Sequence, residues 1–292
     1  MEEIYGCSNV LVGTCCVPLD TVLIDRSPAE SCSTMSQMQF LSRDGLPRLA
    51  YHKLSGWGPG IMYLPGYKSD MNNEKCLALE KYCSSVGRAF VRFDYRGCGQ
   101  SEGNFEDSLL GEWKEDVLAV LDGLTNGPQM LVGSSMGSWL MFLVTLDRPQ
   151  RVAGLISTGT PFDPFVNMYQ SMSAEVKEEV ARNGFFNLPS SQSTTGYYRI
   201  GYSFFQEAQK HTITQRPIPI KCPIRMLHGM DDTSVPWSKA VQLAENLESR
   251  DVTVVLRTQG GHVLKDEDSL SQLMSLVREL TDTIATSKKP LS

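Results

Sequence analysis

The pentapeptide Gly133-Ser134-Ser135-Met136-Gly137 sets a serine midway between two glycines. That spacing suits a nucleophile on a sharp strand-to-helix turn, where a strained backbone crowds anything larger than glycine at the flanking positions. The run Met130-Leu131-Val132 before it and the apolar stretch after it supply the strand and the helix. Ser135 then sits at a helix N-terminus, where unpaired N–H groups favour negative charge, and the Met136 N–H is the first donor to a developing oxyanion. A serine hydroxyl is a weak nucleophile at neutral pH and needs a base. Of the four histidines, His262 lies in the glycine loop Gln259-Gly260-Gly261-His262 after a predicted strand and is the candidate. His228 ends the preceding strand and reads as structural, while His52 and His211 have no supporting pattern. A carboxylate must hold the imidazole tautomer, and the stretch His228-Gly229-Met230-Asp231-Asp232-Thr233-Ser234-Val235-Pro236 offers two, Asp231 and Asp232.

These residues need a scaffold that brings strand ends together. From Gln39 onward, short β-rich runs alternate with amphipathic segments, the pattern of an α/β fold with a mainly parallel sheet and helices on both faces. Strands are predicted at 49–54, 60–65, 88–95, 130–133, 152–157, 224–228 and 252–257, mostly bounded by Gly or Pro. Helical stripes are Cys76, Leu79, Cys83 and Val86 before Gly87, then Trp113, Val117, Leu121 and Leu124. Ser138 to Leu146 is apolar all round, and Leu270, Leu273, Val277, Leu280 and Ile284 form the last stripe. A further helix is predicted to start at Pro236. Between about 161 and 216 the rhythm breaks, and helical pieces at 174–182 and 204–210 read as an inserted helical cap. This stretch holds ten of the 25 aromatic residues. Most are expected to form the cap's own core, the rest, with Phe204 and Phe205 as candidates, to line an acyl-chain cavity.

Composition narrows the function. Of 292 residues, 41% are hydrophobic and 21% charged, which excludes a disordered or collagen-like chain. With 27 basic against 33 acidic residues the net charge of −6 offers no field for a phosphate backbone, so no nucleic-acid partner is expected. The densest apolar run, Trp139 to Leu146, is far shorter than the ~20 residues of a transmembrane helix. Eight cysteines without C-x-x-C pairs suggest free thiols rather than a disulfide scaffold or a zinc site. Residues 1–36 read as a poorly ordered tail, 37–286 as the catalytic domain with its insertion, and 287–292 as a second tail. The first tail carries five acids against one base, opposite to a mitochondrial transit peptide.

Together, these motifs make residues 39–285 resemble the α/β-hydrolase superfamily. Asp94-Tyr95-Arg96-Gly97-Cys98-Gly99-Gln100-Ser101 is similar to its D-x-R-G-x-G-x-S loop, and the order Ser135, Asp232, His262 is its triad order. The resemblance assigns Asp232, four residues after His228, as the triad acid, and the Tyr67 N–H of Leu64-Pro65-Gly66-Tyr67 as the second oxyanion donor. Pro65-Gly66-Tyr67, Phe93-Asp94-Tyr95, Val132-Gly133-Ser134-Ser135, Cys222-Pro223-Ile224-Arg225 and His228-Gly229-Met230 resemble the mitochondrial branch that hydrolyses palmitoyl-protein thioesters and acyl glucuronides. The resemblance implies a serine hydrolase acting on S-acylated proteins or small acyl esters without metal or organic cofactor, in mitochondria; the acidic tail keeps a cytoplasmic alternative. The rivals are a carboxylesterase, lipase or peptidase of the same fold, and a non-catalytic binding member, which a complete triad argues against.

Overall fold

The computed structural model describes residues 37–190, 193–213 and 216–287, so most of both expected tails lies outside the described residues. In chain order the elements are β1 (Gln39–Arg43), β2 (Leu46–Leu54), β3 (Trp57–Leu64), α1 (Glu74–Ser85), β4 (Arg88–Phe93), α2 (Leu110–Leu124), β5 (Gln129–Ser134), α3 (Met136–Asp147) and β6 (Val152–Thr158). The insertion follows with α4 (Pro164–Ser171), α5 (Ala174–Asn183), β7 (Phe185–Pro189), β8 (Tyr197–Gly201) and α6 (Tyr202–Ala208). The chain then completes the sheet with β9 (Ile224–Gly229), α7 (Ser238–Glu245), β10 (Val252–Arg257) and α8 (Glu267–Ser287).

Eight strands form one sheet in the order β1-β2-β4-β3-β5-β6-β9-β10. The first two pairings, β1 with β2 and β2 with β4, are antiparallel, and the rest are parallel. After β3 the chain first adds β4 on one side, then β5 on the other. This reversal opens a crevice at the carboxyl ends of β3 and β5, the usual ligand site of an open α/β sheet. Strand alternation builds two cores. Ile61, Tyr63, Met130 and Val132 face Cys76, Leu79 and Cys83 of α1 and Leu273, Val277 and Leu280 of α8. Met62, Leu64 and Leu131 face the other way, toward α2, α3, α7 and the insertion.

All seven predicted strands are present. Helix α1 ends at Ser85 with Gly87 in the left-handed region (φ 68°), so Val86, expected on the apolar stripe, turns outward and is exposed. Helix α7 begins at Ser238 rather than Pro236. The helical pieces expected in the insertion are α5 and α6, but the segment between them is not helical: β7 and β8 pair as an antiparallel ribbon, with Asn187 opposite Arg199. Alternation of Phe186 and Leu188 with exposed neighbours, between Gly184 and the Gly196 turn, is the strand signal that the aromatic count obscured. The insertion's two ends meet where the Asp163 carboxylate accepts the Ile213 N–H at 3.1 Å.

Candidate active site

Ser135 is the junction of β5 and α3, with φ 51° and ψ −121°. A non-glycine residue is strained there, and the surroundings explain why it persists. A Cβ on Gly137 would lie 2.1 Å from the Leu64 carbonyl oxygen, and one on Gly133 2.6 Å from the Ser138 Cα. Both glycines of the pentapeptide are therefore required by close backbone packing. The Ser135 N–H donates to the Thr158 carbonyl at 2.9 Å, and its carbonyl accepts the Ser138 N–H at 2.8 Å. In the stretch from 129 to 145 every residue but the half-buried Ser135 is buried.

The His262 Nε2 lies 2.8 Å from the Ser135 Oγ, and its Nδ1 lies 2.7 Å from the Asp232 Oδ2. A carboxylate only accepts, so Nδ1 carries the hydrogen and Nε2 is free to accept from the serine. Asp232 is buried and Asp231 exposed, so only Asp232 reaches the imidazole. Its Oδ1 accepts the N–H groups of Ser234 and Val235 at 2.9 and 2.8 Å. Burial alone would raise the Asp232 carboxyl, but hydrogen bonds from His228 and His262, the nearby imidazole charge and the Val235 N–H outweigh it and hold the group well below the usual carboxylate range.

His228, read from the sequence as structural, is packed against the acid itself, a contact that the sequence reading did not give. Wholly buried at the end of β9, it points Nε2 at both the Asp232 Oδ2 (3.1 Å) and the Val235 carbonyl (2.9 Å). Both partners are acceptors, so Nε2 donates, while Nδ1 has no hydrogen-bond partner among the described residues. The signal was its place four residues before Asp232, which served only to set the register of the acid.

The loop after β3, which carries Tyr67, runs beside the serine. A Cβ on Gly66 would approach the Ser134 carbonyl to 3.2 Å and the Ser135 Cβ to 3.4 Å, so this backbone runs directly along the serine. Met136 is the first residue of α3, whose N–H has no intrahelical acceptor. The Tyr67 ring anchors the loop in an aromatic cluster, 5.1 Å from Phe105, 5.2 Å from Phe165 and 5.9 Å from Tyr198 between centroids. Phe204 and Phe205 are also packed, Phe204 against Trp113, Phe165 and Tyr67, and Phe205 stacked on Tyr169. Both are buried in this ring packing and line neither of the two cavities that follow. A polar groove of about 560 Å³ opens beside Tyr198, lined by Lys68, Glu106, Thr194, Thr195, Tyr197 and Arg199. A smaller cavity of about 350 Å³ lies at the amino ends of β3 to β5, lined in part by Lys53, Gly60 and Gln129, and includes none of the triad residues.

The D-x-R-G-x-G-x-S loop is scaffolding. Asp94 accepts the Met71 and Gln100 N–H groups at 2.7 and 2.8 Å, and burial pushes its carboxyl up to about 6 against those bonds. Arg96 grips the buried Asp116 carboxylate, and Ser101 donates to the Asp94 carbonyl. Among the described residues no group of three or more His, Cys, Asp or Glu could hold a metal ion, and no helix is long and apolar enough to cross a membrane.

Residues 61–199 match the family described as the alpha/beta hydrolase fold. The chain is 44% identical over 264 residues to the "Palmitoyl-protein thioesterase ABHD10, mitochondrial" of Bos taurus, covering 90% of this chain and 86% of that protein. It is 43% identical over 272 residues to the Homo sapiens protein of the same name, covering 91% and 89% respectively. The solved structure "Alpha/beta hydrolase domain-containing protein 10 from mouse" matches with a TM-score of 0.82 and 44% identity, covering 85% of this chain and all of that one.

Proposed function

Because the chain belongs to the alpha/beta hydrolase family, among relatives named palmitoyl-protein thioesterase ABHD10, we propose that it is a serine hydrolase releasing long acyl chains from cysteine thioesters of proteins. The observation that carries this reading is the continuous hydrogen-bonded line from Ser135 through His262 to Asp232, with the serine held in a strained turn. Ser135 Oγ attacks the acyl carbonyl while His262 Nε2 takes its proton. The Met136 and Tyr67 N–H groups receive the oxyanion, and the charged imidazole is balanced by Asp232. His262 then protonates the departing thiolate or alkoxide. Water, deprotonated by the same nitrogen, attacks the acyl-enzyme and frees the carboxylic acid and Ser135.

Thioesters and activated esters suit this site because each carries a good leaving group, and small acyl glucuronides, being activated esters, are proposed as a second substrate class. The relatives' names place those proteins in mitochondria, and we propose the same compartment here. Ser135→Ala is expected to lower turnover by on the order of 10⁴-fold and to abolish fluorophosphonate labelling, with an unchanged melting temperature. A panel of palmitoyl-thioester peptides, short esters and acyl glucuronides then ranks the substrates. A kcat/KM for acetyl esters above that for palmitoyl thioesters would replace the thioesterase reading with a general esterase. Imaging the full chain against a mitochondrial marker tests the compartment.

A further inference from the structure

His262 stands in the connection from β10 to α8, whose Gly260 (φ 136°) and Gly261 give the backbone no stiffness of their own. An imidazole that must meet Ser135 and Asp232 at hydrogen-bonding distance cannot be left to such a loop. Leu264 fastens it from one side, buried among the α1 and α8 side chains with its backbone at φ 50°. The other fastening is polar. The Lys75 Nζ donates to the carbonyl of Val263, the residue after His262, and is the one side-chain donor to the backbone of 262–264 among the described residues.

Lys75 is anchored on rigid ground. It lies in the first turn of α1, capped by Asn73, whose Oδ1 accepts the Cys76 N–H at 3.2 Å and the Tyr63 hydroxyl of β3 at 2.9 Å. The same short segment carries Tyr67 and is pinned by Asp94 at Met71 and by Arg92 at the Asn72 side chain. Glu74 adds an outer pairing to Lys265 at 3.6 Å. Lys75 is only 5% exposed, and burial lowers its ammonium to about 8, with Glu74 partly restoring it. A helix position that needed only packing would be filled at less expense by leucine or methionine, since a buried ammonium is costly without a partner. We propose that Lys75 is a positioning residue: by holding the Val263 carbonyl it registers the His262 imidazole against the segment that carries Tyr67.

The proposal rests on His262 as the base, so His262→Ala is measured alongside. Lys75→Met, which keeps the length and loses the donor, is expected to lower kcat for a short ester by about 10- to 100-fold, the cost of a displacement near 1 Å, with KM within about twofold. Fluorophosphonate labelling should slow in parallel, and Lys75→Arg, which restores a donor, should recover most of the rate. If Lys75→Met proves insoluble, Lys75→Leu, which also lacks a donor, takes its place, with the same expected split between kcat and KM. Unchanged kcat in Lys75→Met beside an inactive His262→Ala would overturn the clamp alone. Full activity in His262→Ala would overturn the base assignment and the clamp together. Equal losses in the Met and Arg variants that track their melting temperatures would reduce Lys75 to a packing residue and also overturn the proposal.

Discussion

Asp232 accepts from two imidazoles and two backbone amides, so its replacement by Asn turns one acceptor edge into a donor edge facing donors. Asp232→Asn should lower kcat by about 10⁴-fold, while Asp231→Asn, at an exposed position, should cost less than about tenfold in esterase assays with melting curves as controls. Acid titration separates them further. Because the folded Asp232 carboxyl is depressed, its stabilising contribution is complete above the unfolded value near 3.9 and is lost as pH falls toward the folded one. The melting-temperature gap between the native protein and Asp232→Asn should therefore be widest above about pH 4 and narrow below it. At this scale much was legible, since Ser135 and His262 as a facing pair follow from residue type and spacing, while the choice of Asp232 over Asp231 came with the family resemblance. The structural reading of His228 agrees with its burial, but its bond to Asp232 was not legible, because nothing in a single sequence distinguishes an imidazole that fills a core from one that donates to a buried acid.

Glycine positions test the elements that carry these residues. An alanine at Gly137 would drive a Cβ into two backbone carbonyls of the β3 end, at 2.1 and 2.5 Å, which neither strand nor helix can yield. Gly137→Ala should lose at least about 3 kcal/mol of stability and all turnover. Gly159, with φ 57°, presents a milder case: a Cβ there meets the His262 ring atoms at 3.2 Å. Gly159→Ala should lose about 1–2 kcal/mol from its backbone conformation, but about 10- to 100-fold in kcat through the displaced ring. Thermal melts and turnover of the two variants would separate a folding role from an alignment role. The strands and helices of the sheet were readable because alternation and helical stripes survive in local sequence. The β7–β8 ribbon was harder to read, because its local signal is a single short alternation at Phe186 and Leu188 inside an aromatic-rich stretch, and its pairing is closed only by the turn around Gly196.

Among the described residues the insertion and the sheet share one apolar core, and the aromatic rings at their junction pack within it. Phe205→Ala should cost about 3–5 kcal/mol and leave kcat for acetyl and palmitoyl substrates in the same ratio. Phe204→Ala should cost as much stability and also lower kcat for both, since its ring packs on Tyr67. Loss confined to the long-chain substrate would restore an acyl-cavity role for these rings.

The hydrogen bond between Asp163 and the Ile213 N–H has a consequence for descent and for engineering. Asp163, five residues after β6, is tied to Ile213 near the far end of the insertion, so the polypeptide between them is a closed excursion rather than a span under tension. Such an excursion can be lengthened, shortened or exchanged for that of a relative while β6 and β9 keep their places. Lineages built this way can change what they admit to the serine without rebuilding the apparatus that attacks it, and a chimaera joined at residues 163 and 213 is the natural graft.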